Sequence, residues 1–161
     1  MNNLNDLLKL LLENKIDFVL IGGFAGVVHG SIQVTRDLDI CAALDSEGVQ
    51  KLRECLKELH PRHRMNPGFK PSFLEEPKDT TGLKNLYLET DLGILDVISE
   101  VTGLGALERL KAQSVSIGLF GFSCKVISIE DLITAKESLG RDKDRLVAKE
   151  LKALLELKKE K

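Results

Sequence analysis

Two aspartates alternate with apolar residues in Asp37-Leu38-Asp39-Ile40, and a third stands alone between apolar neighbours in Leu95-Asp96-Val97. Side chains alternate along a strand, so Asp37 and Asp39 share one face, roughly 7 Å apart at ~3.3 Å per residue, while Leu38 and Ile40 face a core. Like charges on one face repel, and a divalent cation between them offsets that cost; hard oxygen donors are what Mg²⁺ takes. Asp96, brought in on a neighbouring strand, would complete such a cage. Upstream, the apolar run Phe18 to Ile21 ends in Gly22-Gly23. Glycines where a strand turns into a helix let a ligand approach the backbone, and the first N–H groups of a helix are unpaired donors suited to an anion. The chemistry suggested is a carboxylate-held cation beside a place for an anion.

The elements that must position these residues are legible from periodicity. Leu4, Leu7, Leu8, Leu11 and Leu12 recur at helical spacing, with Asn3 or Asn5 available as cap, so a first amphipathic helix is expected to about Asn14. A strand over 18–21, a short helix over 24–29 and the Asp37 strand follow. Ser46 is a good N-cap for a helix with Val49, Leu52, Leu56 and Leu59 inward, ending near His60-Pro61. All four prolines fall in residues 61–77, together with Arg62, Arg64 and Lys70, and predict an irregular, substrate-side loop; a merely solvated connection is the alternative. Residues 85–90 and 93–99 read as antiparallel strands about the turn at Asp91 and Leu92, the second carrying Asp96. A helix over 103–112, a hairpin from 115–119 to 123–128, a helix over 129–139 closed by Gly140 and a last helix over 143–159 complete the pattern. The expectation is one domain over residues 1–161, α/β (α+β), a mixed sheet flanked by helices, with residues 129–161 as a C-terminal helical tail.

Composition narrows the function class. With 43% hydrophobic and 30% charged residues the chain has the balance of a soluble globular protein. A net charge of −2 excludes a uniformly basic nucleic-acid binder, and the absence of Trp with 4% aromatics gives little support to a base-stacking platform. Neither GxGxxG nor GxxxxGK[ST] occurs. No stretch reaches membrane-spanning length, and charges interrupt the N-terminal apolar run, so no membrane association and a cytoplasmic location are expected. Cys41, Cys55 and Cys124 lack CxxC spacing and read as small buried thiols, and His60 and His63 around Pro61 do not make a metal pair by themselves.

Taken together, Ile21-Gly22-Gly23, the intervening residues 24–36, Asp37-Leu38-Asp39-Ile40 and Leu95-Asp96-Val97 resemble the signature of the nucleotidyltransferase superfamily with the polymerase-beta-like fold. Residues 126–155 are similar to the tail of small bacterial AbiEii-like, toxin-related members, in which a helix with a Lys is followed by Arg-x-Lys-Asp; here these are Lys136, Arg141, Lys143 and Asp144. The chain departs from that pattern at Gln33, where relatives usually carry Arg, and at Asp142, where Pro is frequent. The resemblance implies a Mg²⁺-dependent enzyme (EC 2.7.7-type) with two ions on Asp37, Asp39 and Asp96. It implies a nucleoside triphosphate, for example ATP, held by Gly22 and Gly23, with Lys136 or Arg141 neutralising charge on the leaving group, and Asp144, Ser31, Thr35 and Arg36 as further nucleotide-binding residues. The acceptor would be an RNA end, a protein hydroxyl or a small molecule, and the chain would be a candidate toxin with a cognate antitoxin. The alternative is a catalytically inactive nucleotide-binding relative that works through a protein partner. Each motif also has an ordinary explanation: a glycine pair as a turn, an exposed DxD as a solvated strand face, Lys136 with Asp144 as a surface ion pair worth under ~1 kcal/mol. Asp96 in an apolar run resists that explanation, because a buried carboxylate needs a partner.

Overall fold

The structure, a computed structural model, describes residues 3–160; residues 1, 2 and 161, included in the one-domain expectation, lie outside the described residues. The first helix, α1 (Leu4–Glu13), is capped by the Asn3 side chain, which accepts from the Asp6 amide, and five of its six leucines are buried, Leu10 only partly. Strand β1 (Phe18–Ile21) is buried along its whole length and leads without a loop into α2 (Gly22–Val28). The glycine pair therefore forms the first turn of the helix itself rather than a turn before it. Strand β2 (Asp37–Ala42) follows, then α3 (Ser46–Leu56), whose N-cap is Asp45 rather than Ser46, the Asp45 carboxylate accepting from the Gly48 amide.

The proline-broken stretch is mostly turns, but it holds a two-residue strand β3 (Arg62–His63) on the edge of the sheet. Strands β4 (Asn85–Thr90) and β5 (Gly93–Ile98) form the expected antiparallel hairpin. Two short strands, β6 (Glu100–Val101) and β7 (Gly105–Ala106), pair with each other, so that α4 (Leu107–Gln113) starts later than helical content at 103 suggests. A second hairpin, β8 (Val115–Leu119) and β9 (Phe122–Val126), precedes α5 (Ile129–Leu139) and α6 (Asp142–Lys159). Ser128 caps α5 through the Asp131 amide, and Gly140 closes it in the left-handed conformation.

The main sheet has the order β3-β4-β5-β2-β1-β9-β8. Its centre is mixed: β1 runs antiparallel to β2 and parallel to β9, and β2 runs parallel to β5. Leu38 and Ile40 of β2 lie in register with Leu95 and Val97 of β5, and these with Leu88 and Leu86 of β4, making a fully apolar face that shares one core with the α1 leucines. The opposite face carries the acids; α2 packs on β1 and β2, α5 packs on α2, and α6 on α5. Because the side-chain period is two, a slip of one residue would drive the acids into the core, and the apolar set therefore pins the register. Among the described residues no helix is long and apolar enough to cross a membrane.

One contact ties the end of α2 to the α5 side of the sheet. His29 is buried, and its Nε2 lies 2.7 Å from the Ile127 carbonyl, to which the neutral ring donates. Burial pulls its pKa down, helped by the charge of Lys158 and opposed by the Ile127 bond. The unfolded chain takes up a proton near the ordinary value of 6.5 that the folded chain resists, so this residue's contribution falls as pH drops below about 6.5. The stability difference between the natural chain and His29→Gln is expected to be largest at pH 7–8 and to shrink toward pH 5, as read by denaturant midpoints.

Candidate active site

Asp37 and Asp39 reach the same face of β2 by simple alternation, each half-buried between the buried Leu38 and Ile40. Parallel pairing sets Asp39 beside Asp96 of β5, antiparallel pairing sets Ile21 beside Asp39, and Tyr87 of β4 beside Asp96. One row across four strands therefore reads Ile21, Asp39, Asp96, Tyr87. Since Ile21 is followed at once by α2, the row ends against the glycine pair. Gly22 has φ +70°, and a Cβ built on it would fall 2.3 Å from Asp39 Oδ2. No side chain fits between this backbone and that carboxylate. At Gly23 an added Cβ would meet Thr35 Oγ1 at 3.1 Å, so the first turn of α2 stays bare on both sides.

These residues line a cleft of about 550 Å³. One wall is Gly22, Gly23, Asp37 and Asp39; the other is Lys136, Arg141, Lys143 and Asp144 from α5, α6 and their junction, with Thr35 and Arg36 on the segment between α2 and β2. A second hollow, about 430 Å³, shares Gly22, Asp39, Lys136 and Arg141 and extends the other way to Asn85, Tyr87 and Glu100. The two meet at Asp39. A third, about 640 Å³, is lined by residues such as Leu44, Thr80 and Leu107, without the acids, the glycine pair or the cations of the other two.

Electrostatics single out Asp39. Its pKa is pushed from 3.8 up to about 6, by burial first, then by the charges of Asp96 and Asp37, with Lys136 and Arg64 pulling the other way. The cations opposite are held by a buried acid. Asp144 accepts from Arg141 at 2.5 and 3.2 Å and lies 3.9 Å from the Lys136 ammonium. Burial works to raise the Asp144 pKa, but Arg141, Lys136 and Lys143 outweigh it and hold the carboxyl below its ordinary value. Asp144 thus fixes the two cations rather than facing the cleft as a free contact.

Ser31 also serves as support. Its buried hydroxyl donates to Glu150 of α6 at 2.7 Å, and Glu150 also accepts from the Ile32 amide, tying the segment after α2 to the tail. Thr35 donates to the Asp37 carbonyl at 3.0 Å, and Arg36 is exposed at the rim. Arg64, in the proline-broken stretch, is the residue that sequence reasoning left unassigned. Its guanidinium takes both oxygens of Asp96, with Nη2 at 2.8 and 2.6 Å and Nε at 3.3 Å, and lies 5.7 Å from the Tyr87 ring centre. Burial raises the Asp96 pKa, and Arg64 opposes it. The other cations of that stretch are paired too, Arg62 and Lys70 both with Glu89.

Asp37 and Asp39 fit a divalent cation: the ion pairs in this cleft, among the described residues, go to Asp96 and Asp144 and leave these two crowded carboxylates to each other. Asp96 does not fit one in the same way, because Arg64 holds both its oxygens. Among the described residues no three acidic, histidine or cysteine side chains converge as a metal-binding group. The histidines of the loop have separate partners, His60 with Asp91 and His63 with the Glu76 carbonyl. All three cysteines are buried, and burial pushes each thiol up to about 11, which leaves them inert.

No family profile and no curated protein matches the sequence. Solved structures do match in fold. A candidate nucleotidyltransferase of Thermotoga maritima is similar at 16% identity and TM-score 0.54, covering 100% of this chain and 97% of its own. An antigenic nucleotidyltransferase-like protein of Paracoccidioides brasiliensis is similar at 16% identity and TM-score 0.60, covering 95% of this chain and 73% of its own. The chain has the nucleotidyltransferase fold, a mixed sheet flanked by helices with a helical C-terminal part.

An Asp39 carboxyl raised from 3.8 to about 6 is costly when ionised, by on the order of 2–3 kcal/mol. Because the folded chain holds this proton more tightly, that cost is complete above pH 6 and vanishes as pH falls below about 4. In metal-free buffer at pH 7.5, Asp39→Asn is expected to be more stable than the natural chain by about 1–3 kcal/mol, with the gain lost by pH 4. Denaturant titrations at several pH values check both the sign and the window.

Proposed function

We propose that the chain is a divalent-cation-dependent nucleotidyltransferase that moves a nucleoside monophosphate from a nucleoside triphosphate to a hydroxyl acceptor, acting as one domain over residues 1–161. The observation that carries this reading is the close approach of the bare Gly22 backbone to Asp39, inside a cleft whose far wall holds Lys136 and Arg141. Carboxylates alone would favour a cation and the cationic wall alone an anion; a metal-bound polyphosphate satisfies both.

In this reading the main chain of Gly22 and Gly23 and the charges of Lys136 and Arg141 bind the β- and γ-phosphates, with Asp144 keeping the two cations in place. Asp37 and Asp39 would hold Mg²⁺, which when bound supplies a Lewis acid for the charge on the phosphoryl oxygens. The acceptor oxygen forms a bond to the α-phosphorus, the bond from that phosphorus to its β-bridging oxygen breaks, and pyrophosphate leaves. In this reading Asp96, beside Asp39 in the row, would take the acceptor's proton once Arg64 releases it. The acceptor enters on the side of Tyr87 and Asn85, where the second hollow meets the first at Asp39.

A protein or small-molecule hydroxyl suits that side better than an RNA end, since Arg62, Arg64 and Lys70 are each matched to Glu89 or Asp96. An RNA-directed toxin would instead show transfer that weakens steeply with salt, the signature of phosphate contacts. Incubation of the protein with each labelled triphosphate, Mg²⁺ and a panel of cell extract, purified protein, small hydroxyl compounds and total RNA tests the reading. Label transfer is expected in the natural chain and at least about a hundredfold less with Asp37→Asn/Asp39→Asn. Transfer that survives in the double variant overturns the mechanism. Tight nucleotide binding with no acceptor labelled would instead favour the inactive, partner-directed alternative, an antitoxin being one such partner.

Gly22→Ala tests the cradle separately. A methyl group there meets the Asp39 carboxylate and forces a non-glycine residue to φ +70°, a conformation costing about 1 kcal/mol for L-residues. Nucleotide affinity by fluorescence titration is expected to fall at least about tenfold, while the far-ultraviolet circular dichroism of the chain stays unchanged.

A further inference from the structure

Arg64 stands where a second cation would be needed. Both oxygens of Asp96 are occupied by its guanidinium, at 2.6 and 2.8 Å from one nitrogen, and the pair is largely shielded, with 24% of the Arg64 side chain and 13% of the Asp96 side chain exposed. A carboxylate so engaged has few lone pairs left for a metal, and a guanidinium beside a divalent ion repels it. The main chain of Arg64 is fixed by its amide, which donates to the Tyr87 carbonyl at 3.0 Å, one residue beyond β3. With the main chain held there, release of Asp96 would fall to the Arg64 side chain. The neighbouring carboxylates Asp37 and Asp39 have no such partner, so the row is divided: two acids open to a cation and one held by a resident charge.

We propose that Arg64 is a positioning residue that withholds Asp96 from divalent cations in the nucleotide-free protein, which then binds one ion through Asp37 and Asp39 and gains a second position only when Arg64 lets go. The proposal rests on the transferase reading for its purpose but not for its test, because ion binding is measured without turnover.

The test is Mn²⁺ binding to the full nucleotide-free chain at pH 7.5, counted by electron paramagnetic resonance of the free ion. The natural chain is expected to bind one ion, and Arg64→Gln a second one, with the affinity for that second ion at least about tenfold higher than in the natural chain. In Arg64→Gln/Asp96→Asn the gain disappears. Arg64→Lys, which keeps the charge but loses the two-pronged grip, falls between them. Thermal melts accompany each variant, and if Arg64→Gln does not fold, the Lys variant alone decides, since it leaves Asp96 with a counter-charge.

Equal ion counts and affinities in the natural chain and the folded Arg64 variants overturn the proposal, as does a gain that persists when Asp96 is also replaced. Ion counts that follow the expectation while no acceptor is ever labelled leave the positioning role standing and remove the transferase reading. Label transfer with no effect of Arg64 on ion binding does the reverse.

Discussion

Repulsion among carboxylates on one sheet face, balanced by positive charge brought from other elements, is the constraint around which this molecule is arranged. Asp39 lies between Asp37, two residues away on its own strand, and Asp96, its partner across the parallel β2 and β5 pair. Burial adds to the strain, and Lys136 and Arg64 relieve part of it from opposite directions, one from α5 and the other from the proline-broken stretch. Neither cation touches Asp39 directly through an ion pair, so the balance is long-range and incomplete. A carboxylate in that condition carries charge that the chain itself does not fully compensate.

The rest of the fold fixes where that excess charge lies. The apolar face formed by Leu38, Ile40, Leu95 and Val97 is fully buried, and it determines that the alternate residues point to the other side. The same pairing carries β1 into register, so that Ile21 lies opposite Asp39 and the chain must turn into α2 beside that carboxylate. Only glycine can be accommodated there. On the far wall, Asp144 is 2% exposed while its partner Arg141 is about half exposed, so the buried acid depends on the surface arginine more than the reverse. Removing the arginine leaves the buried carboxylate without its nearest counter-charge, with only the more distant Lys136 to offset it. The α5 and α6 junction is thus held by the charges that define the cleft.

Much of this was legible in the sequence because it rests on local periodicity. The leucine spacing of α1, the alternation in β2 and β5, the Ser128 cap and the Gly140 stop are short-range signals, and the elements fall where those signals put them. The boundaries that shifted did so through competition between neighbouring signals. Asp45 outcompetes Ser46 as a cap because its carboxylate reaches the Gly48 amide, and residues 105 and 106 are drawn into pairing with β6. What the sequence could not disclose is the partner of Asp96. The reasoning that a buried carboxylate needs compensation was sound, but it admits two solutions, a bound metal or an arginine, and Arg64 lies in the one segment with no periodicity to place it. Ser31 was likewise readable as a cleft residue, whereas its engagement with Glu150 depends on how α6 docks; the Arg141–Asp144 contact, three residues apart, is local.

A resident arginine and an imported cation neutralise a carboxylate equally well, yet they differ in when they are present. The arginine is part of the chain and is on hand before anything binds, whereas the cation must be taken up from solution. Asp39 is left without a resident partner, and the folded chain bears the cost of its ionisation above pH 6. A sequence selected for stability alone would place Asn at that position, or a lysine close enough to pair. The excess charge is kept where the Gly22 backbone is bare and where two hollows meet, a combination that costs stability and that the proposed binding role would explain.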